Sequence, residues 1–260
     1  DKIYILTKYG MRWDLETPRG DFAFHSKTNQ GQDIDIYRYA GKESIIRECE
    51  NSLRRLKTDY IDLYQIHWPD TQTPIAESME AVDSLIKAGK VRYAGVCNYS
   101  ATQMAEAEKT VQLVSNQVPY SMVKRDIENE LVPYCIKHYK SILAYSPMER
   151  GLLTGKIKPG HTFAEGDHRP NLLYFREENI HRTNEFLERI KPIADQKGMT
   201  LGQLVLLWTL EQPGITIALV GARNAAQAVQ NAEAVKYSLT EDEVKTITGE
   251  LDKLELDRTK

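Results

Sequence analysis

Tyr4-Ile-Leu-Thr-Lys8-Tyr-Gly10 and Tyr64-Gln-Ile-His67-Trp-Pro-Asp70 follow one plan: a short apolar run, one ionisable side chain at its end, then a turn. Runs of that length and composition predict strands. In a parallel α/β barrel the chemistry collects where strands end, so Lys8 and His67 can serve one site although they are far apart in the chain. A lysine supplies a cation that lowers a neighbour's pKa, and a histidine supplies a neutral donor that polarises a carbonyl oxygen. Taken singly, each has an ordinary reading, a solvated lysine and a satisfied surface histidine. The rhythm recurs, however, at Val91-Arg-Tyr-Ala-Gly-Val-Cys97-Asn98, Leu113-Val-Ser-Asn-Gln117, Ile142-Leu-Ala-Tyr145-Ser146-Pro and Thr216-Ile-Ala-Leu-Val220-Gly221. Six such runs, most ending in a hydrogen-bonding residue, predict one shared rim.

Between the runs lie helical patterns. Lys42 to Leu56 carries Ile45, Ile46, Cys49, Leu53 and Leu56 on one stripe, and Ile75 to Ala88 is closed by Gly89. Ala101 to Lys109, Asn129 to His138 and Asn224 to Val235 predict further crossover helices, and Asn184 to Gln196 with Leu201 to Glu211 a helical pair. Strand, helix, strand with short connections implies a parallel sheet with right-handed crossovers. Two connections, Met11 to Gly41 and Lys156 to about Asn179, are long enough to be expected as loops built over a binding site. Glu241-Asp-Glu243 reads as solvated surface.

The chain has 260 residues, 41% hydrophobic and 27% charged, enough for the core of a single barrel domain over 1–260. A net charge of -3 gives no reason to expect nucleic acid or an anionic membrane as partner. No apolar run approaches a membrane span and the start lacks a secretory pattern, so a cytoplasmic location is expected. Cys49, Cys97 and Cys135 are an odd number at wide spacing, which suits reduced thiols and gives no zinc signature, so no metal is expected. Asn98-Tyr-Ser100 matches a glycosylation sequon only by coincidence on that reading. Gly151-Leu-Leu-Thr-Gly155-Lys156 falls one residue short of a Walker loop, and Ile157 replaces the magnesium-binding hydroxyl, which excludes nucleotide triphosphate hydrolysis.

The ordered set formed by Ile-Leu-Thr-Lys8, Leu56-Lys-Thr-Asp59-Tyr60-Ile-Asp62-Leu-Tyr-Gln-Ile-His67, Gly89-Lys-Val-Arg92-Tyr-Ala-Gly95-Val-Cys-Asn98, Asn116-Gln117-Val-Pro-Tyr120, Tyr145-Ser-Pro147-Met-Glu-Arg-Gly151-Leu-Leu-Thr-Gly155-Lys156 and Val220-Gly221-Ala-Arg223 resembles the aldo-keto reductase family, in its sugar-reductase and channel-subunit-like branch. The resemblance covers essentially the whole chain. It implies a (β/α)8 TIM barrel, with strands three to eight in this chain, binding NADP(H) without a Rossmann domain. It implies hydride transfer between a nicotinamide and small aldehydes, ketones or sugars.

Residue by residue, Lys8 resembles the lysine that lowers the pKa of a catalytic tyrosine, and His67 the histidine that orients the substrate carbonyl. Asn98 and Gln117 resemble the amides that hold the nicotinamide carboxamide, and Tyr145 the ring that stacks on it. Cys97 stands where a serine is common, and a thiol is the weaker hydrogen-bonder. Ser146, Met148, Arg150, Leu152 and Lys156 fall in the implied pyrophosphate loop, with Arg150 and Lys156 as counter-charges. Gly221 and Arg223 open the last helix, where a ribose phosphate can dock, and Gln227 and Asn231 lie along it toward the adenine. Gln227 replaces a second arginine common in relatives. Trp13, Tyr37, Trp68 and Tyr120 are candidates for the substrate wall.

The family's catalytic aspartate and tyrosine precede the lysine strand, and this sequence opens only two residues before it. Neither Tyr9 nor Tyr37 has the family's aspartate spacing. The expectation is therefore a barrel short of its first two strand-and-helix units, roughly sixty residues at about thirty per unit. Such a chain would leave the strands at Ile3 to Thr7 and Thr216 to Val220 as edges, and would lack carbonyl reductase activity as given. The alternatives are a non-catalytic NADP(H)-binding regulatory subunit, as in the channel branch, and an inactive fragment.

Overall fold

Six consecutive buried residues, Ile61-Asp-Leu-Tyr-Gln-Ile66, mark a strand covered on both faces, the hallmark of a parallel sheet between helices. The computed structural model describes residues 3–259. In chain order its strands and α-helices are β1 (Leu6–Tyr9), β2 (Met11–Arg12), β3 (Asp21–Lys27), β4 (Asp33–Arg38), α1 (Lys42–Leu56), β5 (Ile61–Ile66), α2 (Ile75–Lys87), β6 (Val91–Cys97) and α3 (Ala101–Ala107). There follow β7 (Leu113–Pro119), α4 (Leu131–Lys137), β8 (Ser141–Tyr145), α5 (Glu177–Lys197), α6 (Leu201–Leu210), β9 (Ile215–Leu219), α7 (Ala225–Ala232) and α8 (Glu241–Leu251). β1, β5, β6, β7, β8 and β9 belong to one six-stranded sheet in that order, and β2, β4 and β3 form a second, three-stranded one. The six apolar runs of the sequence are these six strands, each within a few residues of its expected bounds.

The chain divides into two compact units, one made of residues up to Val118 with Pro133–Ile142, the other of Pro119–Val132 with Leu143 onward. In the first unit β1 pairs parallel with β5, β5 with β6, and β6 with β7. α1 presents Ile45, Cys49 and Leu53 to the core, and the Tyr64 hydroxyl donates to the Ile45 carbonyl at 3.1 Å. Each large aliphatic side chain so buried contributes about 1.5–3 kcal/mol.

The stretch from Met11 to Gly41 is not an irregular loop. It holds an antiparallel hairpin, β3 against β4, with β2 on the other side of β4. Its turn closes through Gly31 N–H to the Thr28 carbonyl at 2.9 Å and Thr28 N–H to the Gln32 carbonyl at 2.8 Å, with Gly31 at φ 81°. Asp21-Phe-Ala-Phe-His-Ser-Lys27 disguises the strand because its large rings, Phe22 and Phe24, are about half exposed and the inward positions are small or polar.

In the second unit α6 is buried along nearly its whole length, and the Trp208 indole N–H donates to Thr248 on α8 at 3.0 Å. Tyr120 stacks on Trp208 with ring centres 6.3 Å apart. Leu152, Ile157, Phe175 and Ile180 form a core cluster. Two differences from the sequence reading lie here. α5 begins at Glu177, before Asn184, because the buried Asn179 side chain fixes its first turn: Nδ2 donates to the Leu173 and Asp257 carbonyls and Oδ1 accepts from Asp257 N–H. The acidic run at Glu241 opens α8, where Thr240 and Glu243 form a reciprocal capping box. Among the described residues no helix is long and apolar enough to cross a membrane, and Cys49, Cys97 and Cys135 are buried and free.

Candidate active site

Strand register in the first unit sets out the site. Lys8 lies opposite Gln65, Gln65 opposite Gly95, and Gly95 opposite Ser115, one row across four strands. Alternate strand residues share a face, so His67 continues the Gln65 side, and Cys97 lies opposite Gln117 in the row above. Inward rows of such sheets are normally filled by Val, Ile and Leu. A row of Lys, Gln, Gly and Ser is a polar floor instead.

His67 N–H donates to the Tyr9 carbonyl at 2.9 Å, extending the β1–β5 ladder by one residue and fixing the histidine next to the lysine strand. Burial lowers the His67 pKa most, and the Lys8 charge lowers it further. The imidazole is therefore neutral near pH 7 and able to donate one hydrogen bond to a carbonyl oxygen. Asn98, at φ 59°, turns its side chain so that Nδ2 donates to the His67 carbonyl at 3.0 Å, while its own N–H donates to the Gln117 carbonyl at 3.0 Å. Asparagine tolerates that left-handed backbone better than most residues. Cys97 is 1% exposed, and burial pushes its thiol up to about 12, so it stays protonated.

A cavity of about 260 Å³ is lined by Lys8, Arg12, Trp13, Glu48 and His67 among others, and a second of about 350 Å³ by Arg12, Trp13 and Tyr37 among others. Trp13, 56% exposed, borders both. Trp68 is half-buried with the Arg38 guanidinium 5.2 Å from its ring centre. Tyr9 follows Lys8 and so faces the other side of β1, where it is buried against Tyr64 at 4.5 Å between ring centres.

In the second unit Tyr145 ends β8 half-buried, and its carbonyl accepts from Tyr120 N–H at 3.1 Å. The loop beyond it holds Ser146, Glu149, Arg150 and Gly151 at φ 57°, 40°, 50° and 96°. Such left-handed backbone costs about 1–3 kcal/mol per non-glycine residue and collects where a loop must present its groups to a ligand. The Met148 carbonyl accepts from Gly151 and Leu153 N–H at 3.0 and 3.2 Å. Arg150 and Lys156 are exposed, as counter-charges require. Leu152 is wholly buried in its core cluster, so only its backbone is available to a ligand. Tyr120, too, is 1% exposed, and its hydroxyl donates to Glu128 at 2.6 Å. It packs the core and forms no open wall.

Gly221 and Arg223 lie exposed ahead of α7, which Asn224 caps. Gln227 Oε1 accepts from Arg223 N–H at 2.8 Å, and Asn231 Nδ2 donates to the Gly221 carbonyl at 3.2 Å. Both side chains expected along the adenine thus brace the loop that carries the arginine. Among the described residues Arg223 itself forms no ion pair, and no group of His, Cys, Asp and Glu is arranged to hold a metal.

The sequence profile of the Aldo/keto reductase family matches residues 1–252. The chain belongs to that family. It is 33% identical over 244 residues to the "NADH-specific methylglyoxal reductase" of Escherichia coli (strain K12), covering 93% of this chain and 72% of that protein. It is 30% identical over 258 residues to "Aldo-keto reductase yakc [NADP(+)]" of Schizosaccharomyces pombe, covering 98% and 71%. Among solved structures, the glycerol dehydrogenase AKR11B4 from Gluconobacter oxydans superposes with a TM-score of 0.88 at 33% identity, covering all of this chain and 76% of that one. These likenesses identify the six-stranded α/β architecture of this aldo/keto reductase as that of the family's (β/α)8 barrel.

Two groups in this reductase's first unit were missed from the sequence. Arg12, 2% exposed, ion-pairs with Asp14 at 2.7 Å and Glu48 at 3.3 Å and donates to Ser44. Glu48 in turn accepts from Gly10 N–H at 3.0 Å, just after the lysine strand. A charged residue in a loop carries no periodic signal, although Glu48 on the buried stripe of α1, between Ile45 and Cys49, was a legible anomaly. The other is Gln65, wholly buried inside β5.

Proposed function

We propose that this barrel, in a form that carries the family's catalytic tyrosine, interconverts small aldehydes or ketones and the corresponding alcohols with NADP(H). The observation that carries the reading is the Asn98 bond to the His67 carbonyl, which fastens the amide-bearing strand tip to the histidine-bearing one beside Lys8. Each unit by itself carries groups that suit one part of a nicotinamide dinucleotide. The first unit offers side-chain amides at Asn98 and Gln117 over a polar floor, and the second offers a loop of left-handed backbone with exposed Arg150 and Lys156, and the exposed Arg223.

Bound there, the nicotinamide would supply or accept the hydride. In the first unit Asn98 and Gln117 would hold the carboxamide and so select one ring face; in the second Tyr145 would stack on the ring, and Arg150, Lys156 and Arg223 would balance phosphate charge. His67 donates to the substrate oxygen, and the Lys8 ammonium favours the anionic form of the group that gives or takes the proton. Trp13 and Trp68 wall the substrate side. Two relatives, a methylglyoxal reductase and a glycerol dehydrogenase, favour a small oxygenated substrate over a large hydrophobic one.

One relative is named for NADH and another for NADP(+), and Arg223 decides our choice between them. Titrating NADPH and NADH by nicotinamide fluorescence should show that Arg223→Ala weakens NADPH by about 1.5–3 kcal/mol, the worth of a hydrogen bond to a charged group, and NADH much less. Equal weakening of both would remove Arg223 from the 2′-phosphate. Saturable NADPH binding without turnover of any small aldehyde, in a form that carries the family's catalytic tyrosine, would favour the regulatory-subunit reading instead.

A further inference from the structure

Gln65 is a polar residue in the interior of a wholly buried strand, and one of its two polar atoms, Oε1, has no hydrogen-bond partner. Ser115 Oγ, two strands away in the same row, is also buried and unpartnered. A buried polar atom left unsatisfied is a cost that an apolar side chain of the same length would not carry, and such sites survive where function retains them. The Gln65 bond that does exist runs from Nε2 to Gln117 Oε1 at 3.5 Å. Gln117 is on β7, and β6 lies between. Neighbouring strands are about 4.8 Å apart, so only a long side chain spans two of them, and only where the intervening residue leaves room.

Gly95 leaves that room. A Cβ placed on it would sit 2.7 Å from Ser115 Oγ, closer than packing allows, and 3.0 Å from both Gln65 Cγ and Leu63 Cδ1, a tight fit that makes those side chains give way. Gly95 is absent from the positive-φ glycines and so needs no special backbone; what a glycine answers there is the close approach of the Ser115, Gln65 and Leu63 side chains.

We propose that Gln65 is a positioning residue, crossing β6 over Gly95 to hold Gln117 Oε1 so that the Gln117 amide N–H group faces the carbonyl oxygen of a nicotinamide carboxamide. This rests on the cofactor reading above. At 3.5 Å the bond is long, and it would tighten as the ring docks and Gln117 is drawn into line.

The test compares two ligands, NADPH and 2′-phospho-ADP-ribose, which keeps the phosphates and adenine but lacks the nicotinamide. Gln65→Met preserves length and removes the amide. It should weaken NADPH about three- to tenfold, the worth of one neutral hydrogen bond, leave the fragment unchanged, and hold or raise the thermal midpoint because a buried orphan amide is gone. Gly95→Ala should reproduce the selective loss by displacing the Gln65 side chain, and it decides the matter by the same criterion if Gln65→Met does not fold. Equal loss for both ligands, or none for NADPH, overturns the proposal. A wild-type protein that binds neither ligand overturns the cofactor reading and this inference with it, whereas normal wild-type binding with unselective variants overturns this inference only.

Discussion

In a form of the protein that carries the family's catalytic tyrosine, Lys8→Met and His67→Ala are each expected to lower kcat by about 10²–10⁴-fold, the range for a group that acts on proton transfer, while leaving NADPH affinity nearly unchanged. The split follows from where the two side chains stand. Both line one cavity on β1 and just past β5, and both are proposed to act on charge that appears only as the carbonyl becomes an alkoxide, so their contribution belongs to the transition state. Steady-state kinetics with a small aldehyde, beside fluorescence titration of NADPH, measures the two quantities separately. A variant with near-normal turnover at saturating substrate would take that residue out of the mechanism, and one that loses NADPH affinity in proportion to turnover would make it a binding residue.

The same pair makes a pH prediction. His67 is depressed by burial first and by Lys8 second, so Lys8→Met should raise its pKa without restoring the ordinary value of 6.5. The sign for stability follows. A histidine depressed in the folded state contributes stability that is complete above 6.5 and declines as pH falls from there through the folded pKa, because the unfolded chain takes the proton first. Lys8→Met should narrow that window. NMR titration of the His67 ring in the two proteins measures the shift, and an unchanged value would mean that the two charges do not interact.

What the sequence disclosed depended on whether a feature had a period. β5, β6, β7 and β8 are short apolar runs that end in polar tips, and Lys8, His67, Asn98 and Gln117 were visible because each interrupts such a run at its end. The β3–β4 hairpin was not, because its alternation places Phe22 and Phe24 outward and small or polar residues inward, the reverse of the usual signal. α8 was announced by Thr240 and Glu243 at capping-box spacing, but the acid-rich first turn reads equally well as solvated surface. Leu152 and Tyr120 show the opposite limit. Motif position alone suggested ligand contact, and only the packing around them reveals that one lies in a core cluster and the other between Trp208 and Glu128. Gln65 escaped because a glutamine two residues before His67 looks like ordinary strand alternation until the register of β6 puts Gly95 beside it.

Arg12→Met should cost about 3–5 kcal/mol of stability near neutral pH, the scale for removing one partner of a buried ion pair and leaving the other charged and unpaired. Arg12 is 2% exposed and holds Glu48, Asp14 and Ser44, while Glu48 binds Gly10 N–H at the turn after the lysine strand. Burial raises the Glu48 pKa above its ordinary 4.5 even though Arg12, Gly10 N–H and Ser44 all lower it. A carboxylic acid whose folded pKa is raised contributes stability that is complete below 4.5 and is lost as pH rises through the folded pKa. Without Arg12 that folded pKa climbs further, so the loss extends to higher pH and grows deeper. The deficit of Arg12→Met should therefore be greatest near neutrality and shrink under acid conditions, where Glu48 is protonated in both proteins. Replacing Glu48 by Gln in the same variant should restore most of the lost stability, because no buried charge then remains to be compensated. Urea unfolding of the wild type, Arg12→Met and Arg12→Met/Glu48→Gln at neutral and acid pH measures all of this. A deficit that is the same at both pH values, or a double variant no more stable than the single one, would mean that Arg12 stabilises through its packing and not through its charge. Because the Glu48 bond to Gly10 steadies the turn that follows Lys8, the single variant should also lose turnover, and the double variant, whose glutamine can still accept from Gly10 N–H, should recover part of it.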